Sequence, residues 1–215
     1  VPVLIGNKVF FHMPKTGGTW VERYLVQELG GTVYAQLGGH APAELLPLHL
    51  RKGKILFGTA RHPVEWYASW YLHAINNSKF REQLRVYGKG EDDFEAVLRG
   101  VLMSRVCPKS HAVIWDVPNG SKERSEFLRR PHGLYSWAFH HVYGTHVRKF
   151  VRAEDLKVNL EAFLRVGINA DQYPPDNLRA ARPISATTDE LYTDELRALV
   201  WEKDGEVARG IGYES

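Results

Sequence analysis

Apolar positions along the chain fall into short unbroken runs that alternate with longer amphipathic stretches. Lys8 to Met13 (KVFFHM) is too short for a helix and is ended by Pro14, so it predicts a buried strand. A glycine-rich turn follows. From Thr19 onward, Val21, Leu25 and Leu29 recur at helical spacing, Glu22 and Glu28 lie on other faces, and Gly30-Gly31 closes the segment. Lys54 to Ala60 (KILFGTA) opens a second unit of this kind. Pro63 stands there as the first residue of a helix, and Val64, Trp66, Tyr67 and Trp70 give it apolar surface.

Further helices are predicted at Phe94 to Met103, Leu134 to Val142, Leu156 to Val166 and Glu190 to Asp204, with a strand at Val147 to Val151. Alternating strands and helices imply an α/β fold: a mainly parallel sheet covered on both faces, in three layers α/β/α. Lys79 to Asp93 and Pro118 to His132 are rich in charge with scattered Gly, Pro and Ser. Both read as surface loops, of a length often used for lids or acceptor-binding walls. With no internal repeat and no long linker, residues 1–215 are expected to form a single domain.

Composition narrows the class. At 215 residues, 44% hydrophobic and 25% charged, the chain matches ordinary globular averages, which disfavours disorder and collagen-like repeats. No run is apolar enough to span a bilayer, and the opening VPVLIGNK lacks the basic region and apolar core of a signal peptide. A single cysteine, Cys107, forbids an intrachain disulfide and a cysteine-based zinc site, so a reducing, cytoplasmic location is expected. The formal charge of +3 is too mild to announce a nucleic-acid binder, yet it suits an anionic ligand.

The chemistry concentrates in the turn after the first strand, His12-Met13-Pro14-Lys15-Thr16-Gly17-Gly18-Thr19-Trp20. Glycines between a strand and a helix let several N–H groups point at one anion, with the helix N-terminus behind them. Lys15, Thr16 and Thr19 add charge and donors suited to phosphate oxygens. The plainer alternative is a Gly-Gly turn with Thr19 as helix N-cap. This is no Walker A loop, because Lys15 precedes both glycines rather than following the second.

Entered from an apolar strand, this order resembles the 5′-phosphosulfate loop of sulfotransferases that use 3′-phosphoadenosine 5′-phosphosulfate (PAPS). The resemblance implies a P-loop NTPase-like fold in which Lys15 contacts the bridging oxygen and the sulfonate. The amides and hydroxyls of Thr16, Gly17, Gly18 and Thr19 would hold the 5′-phosphate, and Trp20 would stack on adenine; its alternative is a core residue. Arg61-His62-Pro63 followed by Ser69 resembles the same family's 3′-phosphate motif. Arg61 would bind phosphate with its two-pronged guanidinium, and Ser69 would add a neutral hydrogen bond. Read alone, Arg61 would be a surface ion-pair partner and Ser69 a small helix residue. Gly133-Leu134-Tyr135, Phe150 to Leu156 and the closing helix with Gly212-Tyr213 resemble further stretches of the family. Arg179, Arg182 and Ser185 are candidates for another 3′-phosphate contact, with a solvated basic loop as the alternative.

Sulfonyl transfer needs a base for the acceptor proton, and neutral histidine suits that task. Of ten histidines, His40 in Gly38-Gly39-His40-Ala41-Pro42 resembles the catalytic histidine segment of glycan 2-O-sulfotransferases. His12, at the end of the first strand, is its rival; a buried structural role is the alternative. His62, His140 and His141 read as structural or exposed. No H-E-x-x-H pair or compact facial set calls for a metal, and Glu91 to Asp93 reads as a solvated charge run. The expected function is therefore metal-independent sulfonate transfer from PAPS to an acceptor hydroxyl, leaving adenosine 3′,5′-bisphosphate. The acceptor would be a glycan, or else a lipid, phenol or small alcohol. Trp66, Trp70, Trp115 and Trp137 could line a sugar site or belong to the core. An atypical P-loop kinase and a non-catalytic binder of sulfated or phosphorylated glycans are the competing functions.

Overall fold

The computed structural model describes residues 1–103, 132–168 and 186–215. Cys107, Trp115, Arg179, Arg182, Ser185 and nearly all of the Pro118 to His132 stretch lie outside the described residues. Two compact units emerge: residues 1–61 with 138–168, and residues 62–103 with 132–137 and 186–215. No helix among the described residues is long and apolar enough to cross a membrane.

The first unit is built on an open sheet in the order β3-β1-β2-β4-β5: β1 (Val3–Ile5), β2 (Lys8–His12), β3 (Thr32–Val33), β4 (Ile55–Ala60) and β5 (Lys149–Arg152). Strands β2, β4 and β5 are parallel neighbours, as the alternating pattern implies. Helix α1 (Gly18–Gln27) buries Trp20, Val21, Tyr24 and Leu25 against Val3, Phe10, Phe57 and Val151, and Leu160 of α7 (Leu156–Leu164) joins the same cluster. Helix α6 (Leu134–Tyr143) instead sets Phe139 and Tyr143 against Phe150, which precedes Val151 and so faces the other way. Helices thus lie against both faces. A short helix α2 (Leu48–Arg51) leads into β4.

The sheet is mixed, which corrects the expected mainly parallel arrangement. Strand β1 runs antiparallel to both β2 and β3. The cause is the two-residue connection Gly6-Asn7: Ile5 pairs with Lys8, and Gly6 takes φ of 51°, a conformation that glycine adopts without a Cβ penalty. That turn folds the opening apolar run back on β2 as a hairpin.

The second unit is helical: α3 (Pro63–Ile75), α4 (Ser78–Tyr87), α5 (Phe94–Met103), α8 (Thr188–Leu191) and α9 (Asp194–Gly210), with the first turn of α6. Its centre is aromatic, Trp66 stacking on Trp70 with 6.4 Å between ring centroids and meeting Tyr135 edge-on. Asp204 is fully buried there. Its carboxylate accepts from Tyr67 Oη at 2.8 Å and from the Ser136 N–H at 2.9 Å, so it caps the start of α6. Gly133 is required beside it, since a Cβ would lie 2.1 Å from Asp204 Oδ2.

Two further expectations change. Lys79 to Asp93 is not all loop, because α4 runs through it as far as Tyr87. Phe80, Leu84 and Tyr87 recur at helical spacing, and Arg81 and Arg85 both pair with Asp92. The closing helix is split: Thr187 and Glu190 form a capping box for α8, and Thr193 caps α9 through the Leu196 N–H.

Candidate functional site

Because β2, β4 and β5 are parallel and adjacent, their carboxyl ends emerge at one edge, where open α/β sheets bind ligands. The loop after β2 is sharply bent. Lys15 has φ of 66° and Gly17, the N-cap of α1, has φ of 77°. A non-glycine residue in that region carries backbone strain of the kind found at ligand loops. Gly18 admits no other residue: a Cβ there would lie 2.0 Å from His12 Cγ. Among the described residues no side chain caps α1, and its first turn holds no acid, so the positive end of the helix faces the loop. Gly17, not Thr19, occupies the cap position.

Behind the loop lies a closed set of buried hydrogen bonds. The Met13 N–H donates to Tyr143 Oη at 3.0 Å, and that hydroxyl donates to the Thr59 carbonyl. Thr16 Oγ1 donates to the Met13 carbonyl at 2.8 Å; its single proton is thereby used, so Thr59 Oγ1 must be the donor in the 2.7 Å contact between the two threonines. Met13, Thr16, Thr59 and Tyr143 are each fully buried. Burial pushes the Tyr143 phenol far above its ordinary range, so it stays a donor. Sequence reasoning missed Thr59 and Tyr143. Gly58, inside a strand, was the available signal: a Cβ there would lie 2.5 Å from Tyr143 Cε1.

The second motif meets the first directly. Arg61, one residue beyond β4, donates from Nη1 to the Lys15 carbonyl at 3.1 Å. One guanidinium thus holds the strained residue of the glycine loop from the neighbouring strand end. The turn after β5 reaches the same edge: the Ala153 N–H donates to the Ala60 carbonyl at 2.7 Å, and Leu156 packs over Gly17.

Two histidines stand beside the loop. The rings of His12 and His40 meet edge-on with centroids 4.8 Å apart, and His40 Nδ1 lies 3.0 Å from the His12 carbonyl. A carbonyl can only accept, so Nδ1 carries the proton and Nε2 keeps its lone pair. Burial lowers the pKa of both histidines, His12 the more, with His40 as its next cause; Lys15 adds to the lowering at His40. His12 is buried, and among the described residues its Nδ1 has no hydrogen-bond partner.

The structure therefore gathers Lys15, Thr16, Gly17, Gly18, Arg61, His12 and His40 at one edge of the first unit. Within it, the Thr16 hydroxyl faces inward as a brace, while Thr19 is exposed. Trp20 is buried in the core and stacks on Tyr24 at 6.0 Å. Ser69 lies in the second unit, half-buried in the middle of α3. Trp66, Trp70 and Trp137 are core residues. His62 packs edge-on against Trp201 and Tyr213, and His140 is exposed. Glu91 to Asp93 is not a free charge run: the hydrogen bond from Arg81 lowers the Asp92 carboxyl from its ordinary value, and Asp93 accepts the Ala96 N–H at the start of α5. Among the described residues no group of acidic, histidine or cysteine side chains is arranged to hold a metal.

Comparison with known protein families, with curated proteins and with solved structures gives no match.

Proposed function

We propose that the chain is a PAPS-dependent sulfotransferase of P-loop-like, three-layer architecture, acting on the hydroxyl of a carbohydrate or small alcohol. The observation that carries this reading is the bond from Arg61 to the Lys15 carbonyl, which joins two phosphate-binding motifs at the ends of adjacent parallel strands. The donor is a substrate with two phosphate groups, and the edge offers a cation from each motif and an uncapped helix start.

In this mechanism Lys15 and the amides of Gly17 and Gly18 hold the 5′-phosphosulfate, and Arg61 faces the other phosphate. His40 Nε2, left unprotonated by the bond at Nδ1, takes the acceptor proton. The acceptor oxygen forms its bond to sulfur as the bond from sulfur to the 5′-phosphate oxygen breaks. The electron pair of that bond leaves with adenosine 3′,5′-bisphosphate, whose growing charge Lys15 and the helix start stabilise. Thr16 keeps the loop in shape. Its hydroxyl already serves Met13, so its contribution to the ligand is through the backbone.

Incubating the protein with sulfur-labelled PAPS and a panel of glycans and alcohols, read by mass spectrometry, tests the proposal. Labelled product with release of adenosine 3′,5′-bisphosphate is expected. Bisphosphate binding without turnover on any acceptor would favour a non-catalytic binder instead, and preference for ATP with magnesium would favour a kinase.

A further inference from the structure

The opposite end of the same strands carries a different surface. Lys8 opens β2, Arg51, Lys52 and Lys54 lead into β4, and Arg148 and Lys149 open β5. Register brings these starts side by side, with Lys8 opposite Ile55 and Phe57 opposite Lys149. Adjacent strands lie about 4.8 Å apart, so the three starts span roughly 10 Å. That is about one Debye length at 0.1 M salt, and the charges act on one another. Side-chain bonds tie the segments together: Lys54 Nζ donates to the Gly6 carbonyl at 2.7 Å, and Arg51 Nη1 lies 2.9 Å from His146 Nε2.

Nothing acidic offsets this cluster within its own segments. The stretches 1–21, 45–64 and 132–153 contain no Asp or Glu. Among the described residues none of the six cations forms an ion pair, whereas Arg81, Arg85, Arg99 and Arg197 of the second unit each do. Uncompensated like charge in so narrow a strip opposes folding and favours an anionic partner. The apolar side chains exposed in the same stretch choose the partner. Leu48 is 65% exposed and Ile55 41%. Both are aliphatic, and neither offers the ring on which a base or sugar would stack. Basic side chains beside exposed aliphatic ones suit the boundary between lipid headgroups and acyl chains.

We propose that this edge docks on the surface of an anionic lipid bilayer, with the six cations at the headgroups and Leu48 in the layer beneath. The surface is separate from the glycine-loop edge, and the assignment does not depend on the nucleotide reading.

Flotation of the full chain with vesicles of equimolar phosphatidylglycerol and phosphatidylcholine, against phosphatidylcholine alone, tests it. Binding is expected only to the anionic vesicles and should weaken as salt rises. Lys52→Glu with Lys54→Glu should reduce affinity roughly tenfold or more, and Arg148→Glu with Lys149→Glu should do the same from a neighbouring strand. Leu48→Ser should weaken binding without changing its salt dependence. Failure to float with the anionic vesicles, equal binding to both kinds, or charge-reversed variants that float as wild type would overturn the proposal. Retention on heparin or single-stranded DNA without vesicle binding would overturn it in favour of a soluble polyanion.

Discussion

His40 donates its Nδ1 proton to the main-chain carbonyl of His12 across 3.0 Å. The bond fixes the tautomer of an imidazole that stands beside Lys15, and it anchors the Gly38-Gly39 loop to the carboxyl end of β2. In the proposed mechanism, a base oriented by backbone would need no carboxylate to hold it, which would leave the local field positive for an anionic donor.

His40→Ala should therefore keep its affinity for adenosine 3′,5′-bisphosphate while losing about 10²–10⁴-fold in turnover. Calorimetry with the bisphosphate and a steady-state transfer assay separate the two effects. If His12→Ala, rather than His40→Ala, is inactive with binding intact, the base is His12.

Lowered pKa values give the pH dependence its sign. Both histidines stay neutral in the folded protein below the ordinary value of about 6.5, where the unfolded chain already binds protons. Stability is thus full above about pH 6.5 and falls as pH drops below it, by up to about 1.4 kcal/mol per pH unit for each histidine, until the folded forms protonate. Urea unfolding at neutral and acidic pH measures this, and His12→Asn should flatten the slope. Turnover should likewise hold steady down to about pH 6.5 and fall only on the acid side of it.

Lys15→Ala should abolish transfer with little loss of stability, because Lys15 is a half-buried loop residue and not part of the core. Lys15→Gly should be equally inactive yet more stable than Lys15→Ala by roughly 1 kcal/mol, since glycine relieves the positive φ of 66°. Near wild-type turnover in either variant would remove Lys15 from the mechanism. Chelation with EDTA should leave activity intact.

Arg61→Ala is expected to act twice. It should erase the preference for the bisphosphate over AMP, a loss of more than about 1.5 kcal/mol, and it should also loosen the loop by freeing the Lys15 carbonyl. Arg61→Lys tests the difference, because an ammonium supplies charge without the fork. Equal wild-type affinity for AMP and the bisphosphate would sink the two-motif assignment.

Tyr143→Phe should strand the Met13 N–H and the Thr59 carbonyl, at about 1–3 kcal/mol for each buried group left without a partner. Gly58→Ala should give the same phenotype by displacing the Tyr143 ring instead of removing its hydroxyl. Both should weaken bisphosphate binding. Tyr192→Phe, which removes a comparably buried hydroxyl bonded to the Val64 carbonyl, should lower the melting temperature alone.

Much of this was legible in one dimension. The strand at Lys8, the turn at Gly17-Gly18, the strand through Ala60 and the helix from Pro63 follow from apolar spacing, breakers and the fixed φ of proline, all local properties. The sharp bend of the loop was legible for the same reason, since paired glycines mark a tight turn by type. What the sequence could not determine was partnership. The Gly6-Asn7 hairpin made the sheet mixed, and α4 depended on Asp92 for its arginines. The inward-facing Thr16 hydroxyl meets Thr59, 43 positions along the chain from it. Hydrogen bonds and packing between distant segments form only when the chain closes on itself. Only that closure set Arg61 on Lys15, gave His40 its tautomer and gathered six cations at one edge.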